Sequence, residues 1–149
     1  MATQTTTAVN ACDVSVWLDD NNGTLKDISG SSNTISMEFT NQLGAVSNFA
    51  TRWPVRLECR KDATFNLTAI YSMATDEAKD LLLKWFFNFP GVRTLKVYIP
   101  DKNVGSDVYT AEVHLATMPI TVQADSADPI EMSCQLMPEG PVLWAQNAT

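Results

Sequence analysis

Histidine occurs once in the 149 residues, at His114. One imidazole cannot supply a site with several histidine ligands, and a lone histidine beside Glu112 on an alternating segment reads as ordinary strand surface. Cysteine is nearly as scarce: Cys12, Cys59 and Cys134 form an odd set at wide spacings. Zinc sites and redox pairs use close pairs such as C-x-x-C, and none is present. Cys59 and Cys134 fall in strand-like runs and are expected to be small buried thiols of a reducing compartment. Long apolar runs are missing too, and a membrane-spanning helix needs about 18 or more such residues. The opening Met1-Ala2-Thr3-Gln4-Thr5-Thr6-Thr7 has neither the charged start nor the apolar core of a secretory signal. Residues 1–12 are expected to form a flexible polar arm. Positive charge is absent from the last third, because no Lys or Arg follows Lys102. The formal net charge is -7, so the chain lacks the basic face of a domain that grips nucleic acid.

Motifs that carry chemistry are missing in the same way. Asp19-Asp20-Asn21-Asn22-Gly23 is rich in oxygen ligands, but a calcium loop counted from Asp19 would need Gly and Glu where Thr24 and Gly30 stand. It is expected to be a turn. Gly30-Ser31-Ser32 has no phosphate-loop context. No pair of carboxylates sits in an apolar setting that would raise one pKa. No catalytic, cofactor-binding or metal-binding residue is expected, and the chain is not expected to be an enzyme.

What is present is alternation. Val14, Val16 and Leu18, then Ile35, Met37 and Phe39, then Val55, Leu57 and Cys59, then Phe65, Leu67 and Ala69 each alternate with polar neighbours. Leu95, Val97 and Ile99, the run from Tyr109 to Leu115, and the run from Ile130 to Leu136 do the same. Strands with one buried and one polar face have this period of two. One helix is expected from about Thr75 to Phe89, with Thr75 as N-cap, Pro90-Gly91 as stop, and Ala78, Leu81, Leu82, Trp85, Phe86 and Phe89 as a core stripe. Hydrophobic residues make up 45%, enough for one domain with its own core. The expected fold is mainly β, a β-sandwich or partly open barrel with one flanking α-helix. The domain should span 13–139, and 140–149 should form a tail whose Val142, Leu143 and Trp144 dock on the same subunit or on a neighbour.

The segment from Leu25 to Tyr71 holds the most information. It runs Asp27-Ile28-Ser29-Gly30, then the strand Ile35–Phe39, then a stretch from Thr40 to Thr51 without clear period that reads as a long loop. Arg52-Trp53 follows, then the strand from Lys61-Asp62-Ala63-Thr64 to Ile70-Tyr71. In this order it resembles the tail tube, or major tail, proteins of bacteriophages with long non-contractile tails. The likeness continues more loosely through Leu95–Ile99, Pro100-Asp101 and Val108–Leu115. It implies a structural virion protein that forms stacked hexameric rings, with the phage genome passing through the lumen. Its implied partners are itself, the tail terminator, tape measure and baseplate proteins, and double-stranded DNA that slides through without tight binding, with no membrane. Its implied location is the virion tail, assembled in the host bacterial cytoplasm. A tube subunit of a contractile tail or type VI secretion apparatus shares the fold and is the main alternative; a monomeric ligand-binding β-barrel is a lesser one.

Three sets of residues become assembly candidates. In the expected loop, Leu43, Val46 and Phe49 are too apolar for a free segment, and in the family the matching segment reaches a neighbouring subunit. Thr34, Ser36 and Glu38, with Thr64, Asn66 and Thr68, are small, polar and not basic, which suits a lumen wall along which DNA slides. Arg52, Arg56, Arg60 and Lys61 cluster within ten residues. They are proposed to face acidic residues of a stacked neighbour among Asp107, Glu112, Asp125, Asp128, Glu131 and Glu139.

Overall fold

The computed structural model describes residues 8–47, 49–50, 52–125 and 127–148. The sequence-expected polar arm lies, for residues 1–7, outside the described residues. Among these residues eight strands and one α-helix follow in chain order: β1 Ser15–Asp19, β2 Leu25–Asp27, β3 Ser32–Val46, β4 Val55–Ile70, α1 Ala78–Phe87, β5 Arg93–Ile99, β6 Asp107–Thr117, β7 Glu131–Pro138 and β8 Leu143–Gln146. All pairs are antiparallel. They build one sheet in the order β2-β1-β5-β6-β7-β4-β3, with β8 added beside the first half of β6.

The alternating residues work as the period predicts. Val16 and Leu18, Leu95 and Val97, Ala111 and Val113, Met132, Cys134 and Leu136, and the odd positions Ala63 to Ala69 all point to one face and are buried. The sheet curls around them until the Phe39 ring of β3 lies 6.1 Å from the Tyr109 ring of β6. Helix α1 covers this core with Ala78, Leu81, Leu82 and Trp85. The sheet stays open, ending at the short β2 on one side and the long β3 on the other. Its core is filled with side chains, so it is a partly open barrel with a flanking helix and not a ligand-holding closed barrel.

The Asp27-Ile28-Ser29-Gly30 turn is a fastener. The Asp27 carboxylate accepts from the Ser29 N–H (2.9 Å) and hydroxyl (2.6 Å), while Ser29 Oγ accepts from the Val16 N–H (2.8 Å). Ile28 is buried between them. Ser31, also buried, accepts the N–H of Ala78 at 2.9 Å and so caps the helix from 47 positions away; such a cap contributes about 1 kcal/mol. The expected N-cap Thr75 is displaced, because the chain turns through Asp76 in the left-handed region (φ 59°) and the helix starts only at Ala78.

Three further expectations are corrected. Asn41–Val46, read as loop, is strand, because it pairs along its length with β4. Phe86 and Phe89, assigned to the core stripe, are half exposed, since the helix buries a narrower arc than its apolar residues cover. Cys59 is exposed on β4 and only Cys134 is buried. Of the two placements expected for Val142, Leu143 and Trp144, the structure has the segment on this same subunit, where it carries β8 and packs Val142 against the core.

Candidate assembly surface

The sheet has a two-stranded extension. β4 pairs with β7 only from Phe65 to Ile70, whereas it pairs with β3 all the way to Val55↔Val46. Beyond Thr40 and Asp62 the two strands run on with no third strand beside them among the described residues. At about 3.3 Å per residue this arm projects about 20 Å past the core. A lone two-stranded hairpin is marginal in water, and this one leaves several large apolar side chains exposed. Leu43, Val46, Val55 and Leu57 are each more than half exposed, Trp53 is 84% exposed, and Phe49 stands fully in solvent at the tip. Exposed apolar side chains in this number, on both faces and at the tip, point to burial against a partner.

A bulge sets which side chains share a face. Asn41 pairs with Lys61 and Leu43 pairs with Glu58, so Gln42 stands opposite both Cys59 and Arg60. The extra residue reverses the alternation of β4. Phe39, Asn41, Leu43 and Ala45 therefore share the core-side face with Ala63, Lys61, Glu58 and Arg56. Val46 joins Val55 and Leu57 on the opposite face.

The three candidate sets fall into place as follows. Leu43 and Val46 lie in strand β3, on opposite faces of the arm, and Phe49 lies in the connection at its end. Thr34↔Thr68, Ser36↔Asn66 and Glu38↔Thr64 are cross-strand partners, so all six share the face turned away from the core. Ser133 and Gln135 of β7 extend that face through their pairing with Thr68 and Asn66. Its charged groups are Glu38, Glu131, which accepts from the Asn33 side chain at 2.8 Å, and, one pair further along, Asp62 opposite Thr40. Arg56, Arg60 and Lys61 are exposed on the outer half of β4, and Arg52 is exposed in the connection. The ion pairs found among the described residues are Lys84–Asp80 and His114–Glu139, and neither uses these four. Sequence reasoning missed Trp53, Val55 and Leu57 as arm residues. Val55 and Leu57 alternate with charged neighbours just as a half-buried strand does, so no local signal separates the two cases.

A groove of about 370 Å³ lies where the arm leaves the core, between Phe39, Lys61, Asp62 and Ala63 on one side and Pro138, Gly140, Pro141 and Val142 on the other. Among the described residues no group of three or more His, Cys, Asp or Glu side chains is placed to hold a metal ion.

No protein-family model matches the chain, and no curated protein matches its sequence. Solved structures do. A chain from the tail of an empty gene transfer agent particle, refined helically with C6 symmetry, superposes with a TM-score of 0.72 at 15% identity, covering 93% of this chain and 99% of that one. The SPP1 tail tube gives 0.75 at 9% identity over 95% and 81%. A chain of the extended sheath–tube complex of an extracellular contractile injection system, PVC, gives 0.70 at 10% identity over 95% and 93%. The fold of this chain is the tail tube fold.

Proposed function

We propose that this chain is a tail tube subunit of a phage virion, stacking as hexameric rings around a channel for DNA. The observation that carries the proposal is the arm. A monomer has no use for a hairpin that exposes Leu43, Phe49, Trp53 and Leu57 to water, whereas a polymer buries it. The fold likeness to a six-fold symmetric tail agrees with a ring. The face of Thr34, Ser36, Glu38, Thr64, Asn66 and Thr68 suits the lumen because it offers hydrogen-bonding groups and no cation to hold phosphate. Arg52, Arg56, Arg60 and Lys61 suit a contact with an acidic face of the next copy. Terminator, tape measure and baseplate proteins are the partners such a tube would meet, and assembly would take place in the host bacterial cytoplasm. A tube inside a contractile sheath is the second reading, favoured by the likeness to the sheath–tube complex.

The test shortens the arm without opening the sheet. Replacing residues 44–57 by Asn-Gly leaves the Leu43↔Glu58 pair joined by a two-residue turn that hairpins favour. The variant is expected to keep its β circular dichroism, to sediment as a monomer, and to give no rings or tubes by negative-stain microscopy. Normal tubes from this variant would sink the proposal.

A further inference from the structure

We infer that the groove at the base of the arm receives the arm tip of a second copy of this chain. The inference rests on the self-assembly reading and names the seat that the arm occupies. The groove offers apolar walls from two directions: Phe39 and Ala63 from the hairpin, and Pro138, Pro141 and Val142 from the segment that joins β7 to β8. Both walls are held in place. Phe39 rests on the Phe65 and Tyr109 rings, and the joining segment is pinned by Val142 against the core and by β8 on β6. The seat therefore exists before its occupant arrives.

The arm's own tip cannot fill it. Phe49 and Trp53 are carried about 20 Å from the groove by the same paired strands that form its wall, and paired strands do not fold back on themselves. A second copy has the matching tip: Phe49 fully exposed, Trp53 84% exposed, and Arg52 between them in sequence. Lys61 and Asp62 both lie on the groove's wall, so its charge is mixed and the fit rests on the apolar walls that meet the two exposed rings. Donor and acceptor are different patches of the same chain. Each copy that gives its tip keeps an empty groove, so the contact propagates from copy to copy, closing as a ring or continuing as a filament, and does not stop at a dimer.

The experiment replaces Phe49 by the photo-crosslinker p-benzoylphenylalanine in the otherwise full chain. Tubes are assembled from mixed light and ¹⁵N-labelled subunits, irradiated, and the joined peptides are mapped. Links between a light and a heavy chain at residues 39–40, 61–63 or 138–142 are the expected result. Links concentrated anywhere else, or no links in tubes that have formed, would overturn the inference. In parallel, Pro141→Trp should fill the exposed wall of the groove and raise the concentration needed for assembly about tenfold, with an unchanged monomer circular dichroism; an unchanged assembly threshold counts against the seat. If the arm-shortened variant fails to assemble while the links fall elsewhere, only the seat is wrong. If the arm-shortened variant assembles, the self-assembly role of the arm has failed as well.

Discussion

Single polar side chains hold this sheet together at its turns. Asp20 accepts from the N–H groups of Thr24 and Asn22, and Asp101 accepts from the Ser106 hydroxyl and from Asn103. These bonds hold both carboxyls below the usual carboxylate range, the Thr24 N–H acting chiefly on Asp20 and the Ser106 hydroxyl on Asp101. A carboxyl with a lower pKa folded than unfolded stabilises the fold above about pH 4, and loses that effect as acid protonates it. The two turns should therefore loosen in acid, as should the start of α1, where the Asp76 N–H holds the Asp80 carboxyl low in the same way. The cysteines separate by the opposite effect. Burial alone pushes the Cys134 thiol up to about 11, whereas Cys12 and Cys59 are exposed. A thiol reagent at neutral pH should titrate Cys12 and Cys59 in the monomer at once and reach Cys134 only with denaturant. Rapid reaction of Cys134 in the folded chain would contradict the packing of β7.

Among the elements, β3 and β4 each do two jobs. Their inner halves are part of the core sheet, with Phe65, Leu67 and Ala69 buried. Their outer halves are held only by one another, so the amides of the arm have few buried contacts to protect them. Hydrogen exchange of the monomer should show fast exchange for residues 43–57 beside slow exchange for 63–70. In assembled tubes the protection of 43–57 should rise on the order of a hundredfold. An arm as exchangeable in the tube as in the monomer would remove it from the interface. Helix α1 shows a milder form of the same imbalance: Leu81, Leu82 and Trp85 are buried, while Phe86 is half exposed, Phe87 mostly exposed and Phe89, just past its end, half exposed.

The whole molecule is asymmetric in charge, and the asymmetry bears on the lumen proposed for it. The face of Thr34, Ser36, Glu38, Thr64, Asn66 and Thr68 carries no Lys or Arg in a chain that has ten. Ser36 and Asn66 are cross-strand partners and exposed, so Ser36→Lys with Asn66→Lys would place two cations side by side without touching the core. Repeated around a ring they form a basic collar. The double variant is expected to assemble normally and to slow DNA ejection, most strongly at low salt, because phosphate attraction is screened as salt rises. Unchanged ejection kinetics would mean that this face is not luminal.

The sequence by itself determined the class and most of the strands. Period-two alternation depends only on which side chains prefer water, and that preference is local. The six polar candidates share a face because the same alternation runs through both strands. The helix was legible for a similar reason, through the spacing of Ala78, Leu81, Leu82 and Trp85. Only the tertiary structure decided the rest. Asn41–Val46 has no period because neither of its faces meets a core, and it becomes strand because β4 lies beside it. The helix cap belongs to Ser31, which no pattern near Ala78 could name. The bulge at Cys59 and Arg60, which sets the arm's two faces, arises from a one-residue mismatch in pairing that neither strand shows alone. The burial of Cys134 and the exposure of Cys59 follow from where the sheet's third strand ends. Local preference writes the strands, and the pairing between distant strands decides which of their faces is left for a partner.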